Sequence, residues 1–243
     1  MSYKTNVKRL TFTNALIEIM KQIYLLLIFL FPYFLAAQEN QGFMQFRLAS
    51  NLVDKADWIA TIGDSIEIET LKFYISNVQF FQNDSCVDTL DKKHILVDFE
   101  SMNSAKIALA RKNNKAFNKI KFNLGIDSLT NVSGAFGGDL DPTTGMYWTW
   151  QSGYINFKLE GYSNRCPARH HFFQFHIGGY QYPFNSLREI ELDISNPDNI
   201  IIEFELEKLF KIIDLREQYE IMSPNLQATD FATQLKTVFR TTP

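Results

Sequence analysis

The sequence predicts a mainly β fold, a single β-sandwich or barrel-like domain with a C-terminal amphipathic helix, preceded by a cleaved signal peptide. Two observations point to the β class. Aromatic residues make up 14% of the 243-residue chain, with 22 Phe and 10 Tyr, and bulky rings favour pleated, half-buried surfaces. Apolar residues also alternate at period two through a series of short runs separated by Gly, Pro and Asn turn signals. With 46% hydrophobic and 21% charged residues, the chain can build a proper core. A net charge of -3 offers no concentrated basic face for nucleic acid.

The signal peptide rests on Lys21, the apolar run Ile23 to Leu35 and the small residues Ala36-Ala37. That run is broken by Pro32 and falls short of the roughly 20 residues a spanning helix needs, so no membrane span is expected after cleavage. Residues 1–37 are assigned to the signal, with Met20 as an alternative start, and residues 38–243 to the β domain. Cleavage after Ala37 takes the net charge from -3 to -6, that of an ordinary soluble, periplasmic or secreted protein. Export permits a disulfide between Cys86 and Cys166, and spacing leaves that pairing open.

Met44, Phe46 and Leu48 mark a first strand. The stretch from Ile66 to Phe81 is longer, and its apolar phase moves from Ile66 and Ile68 to Leu71, Phe73 and Ile75, then returns at Val78 and Phe80. A strand that swaps faces needs a bulge or bend, expected at Ser76-Asn77. Asn83 to Lys93 reads as a polar loop, His94 to Phe99 as a buried strand, and Ser101 to Lys115 as a helical turn or a loop. Phe117 to Gly125 is a half-exposed strand, and the Gly/Pro-rich Val132 to Gly145 a loop. Tyr154 to Glu160 sets Ile155, Phe157 and Leu159 against Asn156, Lys158 and Glu160. In the next strand His171, Phe173, Phe175 and Ile177 share one face, and His170, Phe172, Gln174 and His176 the other. Glu189 to Ile194 and Ile200 to Leu206 flank an Asn-Pro-Asp turn. In the tail, Ala228, Phe231, Ala232, Leu235, Val238 and Phe239 recur at helical spacing.

No GxSxG, HExxH, GxxxxGK or GxGxxG motif is present, and no catalysis is expected. Imidazole suits copper or zinc, and copper(I) also accepts thioethers such as Met146 and Met222. His176 stands out because it precedes Gly178-Gly179, with His170 on the same face. Trp148 and Trp150 share a face if their segment is extended, either as a core pair or, with Tyr154, as a stacking platform for a flat ligand.

LKFYISNV (Leu71–Val78), GMYWTWQSGYINFKLEG (Gly145–Gly161) and FQFHIGG (Phe173–Gly179) together resemble the MbnP-like copper-binding domain family. The C-terminal IMSPNLQATDFATQLKTVF adds support, and the resemblance covers most of residues 42–240. It implies an exported β-rich protein that binds copper, with a dihaem cytochrome-c-peroxidase-like partner. In some members that partner oxidises a tryptophan to kynurenine, which binds copper together with histidine. Trp148 or Trp150 is then the candidate for modification and His176 the candidate ligand, while Met146 and His170 remain candidate donors on residue chemistry and spacing alone. Phe46-Arg47 stands where copper-binding members tend to carry a first-strand histidine. The alternative is a secreted ligand-binding or adhesion module using an aromatic stacking surface and no metal.

Overall fold

Period-two alternation resolves into two facing sheets in the computed structural model, which describes residues 20–26, 42–49, 60–61, 66–101, 106–109, 115–150 and 153–242. The chain divides into two units, Met1–Gln41 and Gly42–Pro243. In the first, residues 20–26 are helical. The rest of the expected signal peptide lies outside the described residues. No helix among the described residues is long and apolar enough to cross a membrane.

In the second unit the first strands are β1 (Phe43–Leu48), β2 (Ala60–Thr61), β3 (Ile66–Gln82), β4 (Ser85–Thr89), β5 (His94–Asp98), β6 (Lys106–Ala108) and β7 (Lys119–Leu124). A short helix α1 (Ser128–Val132) and two 3-10 turns lead to β8 (Tyr147–Trp148), β9 (Gly153–Ser163), β10 (Phe172–Gly178), β11 (Arg188–Asp193) and β12 (Asn199–Phe204). The chain closes with α2 (Leu206–Ile212), β13 (Glu220–Ile221), α3 (Leu226–Leu235) and β14 (Phe239–Thr241). Among the described residues, one sheet has four strands in the order β14-β12-β1-β6. The other has ten and runs β11-β7-β3-β9-β10-β13, with β2, β4 and β5 pairing β3 and β8 pairing β9.

The long strand β3 is the spine of the larger sheet, and its change of apolar phase has two physical sources. Its register shifts against β9 between Ile68 and Thr70, and against β7 between Ser76 and Gln79. The second shift falls at the expected Ser76-Asn77 position, where Asn77 adopts a φ of 50°. The Asn-Pro-Asp turn separates two strands that do not pair with each other. β11 pairs β7 in the larger sheet and β12 pairs β1 in the smaller, so the turn carries the chain across the sandwich.

Phenylalanines from both sheets fill the interior. Phe73 lies within 5.5–6.3 Å, ring centre to ring centre, of Phe46, Phe99, Phe157, Phe204 and Phe239. Edge-on and offset ring pairs of this kind add about 0.5–1.5 kcal/mol each beyond simple burial. Helix α3 is capped by Asn225, whose side chain accepts from Ala228 N, and it lays Phe231 on Phe175 of β10 at 5.0 Å.

Three local expectations are corrected. The polar segment Asn83 to Lys93 contains strand β4, which forms through backbone pairing with the far end of β3 rather than through an apolar stripe. Ser101 to Lys115 contains β6, paired with β1. The helical stripe stops at Leu235. The chain then turns, and Phe239 enters the core from β14 instead, 5.1 Å from Phe204.

Candidate functional site

The outer face of the larger sheet carries the polar side chains that β alternation sends away from the core. Its C-terminal half of β9 and the facing part of β10 hold Lys158, Glu160, Gln174 and His176. Its other half is roofed by the segment from Ile126 to Trp148. There Tyr74, Ile126, Leu140, Met146, Trp148, Tyr154 and Ile155 form a second, smaller core.

Buried polar side chains fix this roof. Asn156 accepts from Ile126 N at 2.9 Å and donates to Ser186 Oγ at 2.8 Å. Asn131 accepts from Tyr154 N at 2.8 Å and donates to the Ile126 and Asp127 carbonyls. Asp139 accepts from Leu96 N at 3.0 Å and pairs with Lys92 at 2.8 Å, so its carboxylate anchors the loop to β5. The Tyr74 hydroxyl donates to the Asp139 carbonyl at 2.9 Å, and burial pushes its phenol well above the ordinary tyrosine range. Asp141 turns back on Thr143, accepting from its N–H and hydroxyl. Both aspartates of the DLDP sequence are thus committed to building the turn.

Trp148 is buried against Gly178, two residues along β10 from His176. A methyl placed on Gly178 would sit 2.5 Å from Trp148 Cζ3 and 2.7 Å from the Tyr154 carbonyl, so only glycine admits the indole here. The indole Nε1 is buried without a hydrogen-bond partner among the described residues. Trp148 also lines a cavity of about 460 Å³, together with Gly153, Gly179, Tyr180, Tyr182 and Pro224 among others.

His176 is itself buried, and its Nε2 lies 2.7 Å from Glu160 Oε1. Lys158 Nζ lies 3.5 Å from the same oxygen. Burial alone would raise the Glu160 carboxyl, but the His176 hydrogen bond and the Lys158 charge outweigh it and hold the group below the usual glutamate range. Lys72, opposite Lys158 on β3, extends the polar row by pairing with Asp98 at 3.1 Å and Glu100 at 3.2 Å.

The remaining expected site residues fall elsewhere. Met146 is fully buried in the roof core. Trp150 lies in the turn after β8 and is 66% exposed, its ring centre 5.9 Å from that of Trp148. The two tryptophans therefore do not share a strand face, because β8 ends at Trp148. The stacking surface expected from Trp148, Trp150 and Tyr154 is corrected too. Tyr154 is buried with its hydroxyl donating to the Leu140 carbonyl, which leaves only Trp150 outside. His170 is not on the His176 face, since β10 begins at Phe172 and His170 occupies an exposed left-handed turn at φ 61°. Cys86 is an exposed free thiol, and Cys166 is a buried one whose Sγ donates to the Phe172 carbonyl. Among the described residues, no group of three or more His, Cys, Asp or Glu is placed to hold a metal ion.

Glu160 and Lys158 were not singled out by the sequence as site residues, and Gly178 was marked only as a place for the backbone to turn. Alternation places Lys158 and Glu160 on one polar face and His176 on the polar face of the next strand, so a β9–β10 hairpin would have brought them together.

Fold and site define a two-sheet β-sandwich with a loop-roofed outer face, on which the buried Trp148 indole packs on Gly178, two residues along β10 from the buried His176. The sequence model of the MbnP family matches residues 39–223, and the chain belongs to that family. Among solved structures, MbnP from Methylosinus trichosporium is similar with a TM-score of 0.51 at 14% identity, over 70% of this chain and 77% of that one. At that identity the likeness is one of fold. No curated protein sequence matches the chain.

Proposed function

We propose that this chain is an exported copper-binding protein of the MbnP family, acting in the periplasm or after secretion, with no catalysis of its own. The observation that carries this reading is the placement of Trp148 on Gly178, two residues from the buried His176. The donor chemistry suits copper(I) rather than a hard cation, because imidazole is a borderline ligand. His176 is the protein ligand in this reading. No group of three or more His, Cys, Asp or Glu stands there among the described residues, so this reading needs a donor beyond His176 and its neighbour Glu160.

Oxidation of Trp148 to kynurenine would make one. The change is a four-electron oxidation that cleaves the indole C2–C3 bond; with oxygen drawn from water, C2 leaves as formic acid, C3 becomes a ketone, and the former indole nitrogen becomes an aniline NH2. A dihaem peroxidase-like partner would supply the oxidising equivalents. Trp148, not Trp150, is the residue assigned, since its indole rests beside the His176 strand position while Trp150 projects into solvent. Bound copper would supply a soft one-electron centre. The chain's part is to orient His176 and to shield the site with the Ile126–Trp148 roof.

Intact mass of protein made with and without the partner tests the modification, which adds about 4 Da. Peptide mapping should place that addition on Trp148. Copper(I) titration of the mature protein tests the metal. No binding at micromolar copper(I), with His176→Ala indistinguishable from wild type, would sink the reading.

A further inference from the structure

The outer face contains a contact that the copper reading does not use. We propose that Glu160 is a positioning residue that locks His176 into a single tautomer, with the proton on Nε2 and the lone pair on Nδ1. The inference about metal delivery rests on the copper reading; the inference about the tautomer does not.

The geometry is direct. Glu160 Oε1 and His176 Nε2 are 2.7 Å apart, with the two side chains only 18% and 10% exposed. An ionised carboxylate can only accept, so at this distance Nε2 must be the nitrogen that donates. A neutral imidazole carries one proton, which leaves Nδ1 as the acceptor. Cross-strand register explains why the pair forms. His176 stands opposite Lys158 and Gln174 opposite Glu160, so the two groups are diagonal neighbours on β9 and β10.

The surroundings hold Glu160 to this task. Lys158 braces the same oxygen from 3.5 Å. Gln174, the residue opposite Glu160, is turned away by its bond to Glu220 at 2.7 Å. A carboxylate behind an imidazole orients the ring and raises its basicity toward a metal, and loss of such a partner weakens metal binding about 10–100-fold. In the copper reading, Glu160 would act through His176 by fixing which ring nitrogen is left free to bind.

The test is made first on the metal-free protein. Long-range proton–nitrogen NMR near pH 8, where an imidazole is neutral, reads the two ring nitrogens of His176 directly. A single Nε2–H tautomer is expected in the wild type. Glu160→Ala should give a mixture of tautomers. Glu160→Gln, whose amide can either accept or donate, should show an Nε2–H excess between those of the wild type and Glu160→Ala. Copper(I) affinity should fall about 10–100-fold in Glu160→Ala and much less in Glu160→Gln.

An Nδ1–H or mixed tautomer in the wild type, or an unchanged tautomer in folded Glu160→Ala, overturns the proposal. So does an unchanged copper affinity in that variant when the wild type binds. A wild type that binds no copper but shows the Nε2–H tautomer instead removes the copper reading and leaves the positioning of His176 standing.

Discussion

The contact between Trp148 and Gly178 is the point on which the site depends, and Gly178→Ala attacks it directly. The added methyl would lie 2.5 Å and 2.8 Å from Trp148 Cζ3 and Cη2 and 2.7 Å from the Tyr154 carbonyl oxygen. No flexible side-chain end is available to yield, because Trp148 is 5% exposed and the third atom is backbone. Forcing one methyl into a packed region costs about 1–3 kcal/mol. For a domain of this size each kcal/mol moves the melting temperature by about 2–4 °C, so a cost near 2 kcal/mol lowers it by about 4–8 °C. Thermal unfolding followed by circular dichroism measures this. Gly137→Ala is the control, since nothing lies within 4 Å of its built methyl, and its melting point should stay close to wild type. Trp148→Phe combined with Gly178→Ala should be less damaging than the two single losses added together, by about 0.5 kcal/mol or more, because the smaller ring gives the methyl room. Strictly additive losses, or a wild-type melting point for Gly178→Ala, would show that the indole does not rest on Gly178. The Trp148–His176 neighbourhood would then be lost as well.

Two further outcomes are expected. The Glu191 carboxyl is pulled down to about 2 by hydrogen bonds from Lys119 and then Lys121, at 2.5 Å and 2.6 Å. A depressed acid stabilises the fold above its unfolded pKa, and that contribution disappears as pH falls through the folded value, here between about 4.3 and about 2. The group is exposed, so carboxyl-carbon NMR should find a midpoint near 2 at low salt that rises in 1 M salt, roughly where the Debye length shrinks to 3 Å; an ordinary glutamate midpoint at low salt refutes the pairing. For the thiols, Cys86 should react with a thiol reagent in the native protein, and Cys166 only on unfolding. Failure to find both thiols in denaturant without reductant would mean that they are paired.

Most of the sandwich was legible because alternation in this chain is unusually clean. Ile120, Phe122 and Leu124, then Ile155, Phe157 and Leu159, and Phe173, Phe175 and Ile177 all face inward as period two requires. What escaped was structure held by pairing rather than by apolar burial. Strand β4 is polar because it lies along the end of β3, and β14 hides inside a helical-looking stripe because Phe239 is wanted by the aromatic core. His170 misled for a similar reason. Its spacing from His176 fits a strand, but a left-handed turn between Ala168 and Phe172 breaks the alternation. At the site, His176 and Trp148 were visible as residue types, whereas their proximity depended on β8 folding back onto β9.

The position of this pair on the sheet also bears on function. The interior is packed with phenylalanine rings, whereas the polar side chains of the larger sheet lie on its outer face. On that face the Ile126–Trp148 segment seals one half into a dry core, while Lys72, Lys158, Glu160 and Gln174 leave the other half in contact with water. His176 and Trp148 stand at the seam. Gly145 brings the roof to within 3.9 Å of Lys158 Nζ, measured from its built methyl, and the indole closes over Gly178. A ligand at this seam would have one side low in dielectric and the other open to solvent, which strengthens the few polar contacts available without blocking entry. One histidine with a fixed tautomer is a weak site in open water and a stronger one at such a boundary. That is why the roof, as much as His176 itself, decides what this face can hold.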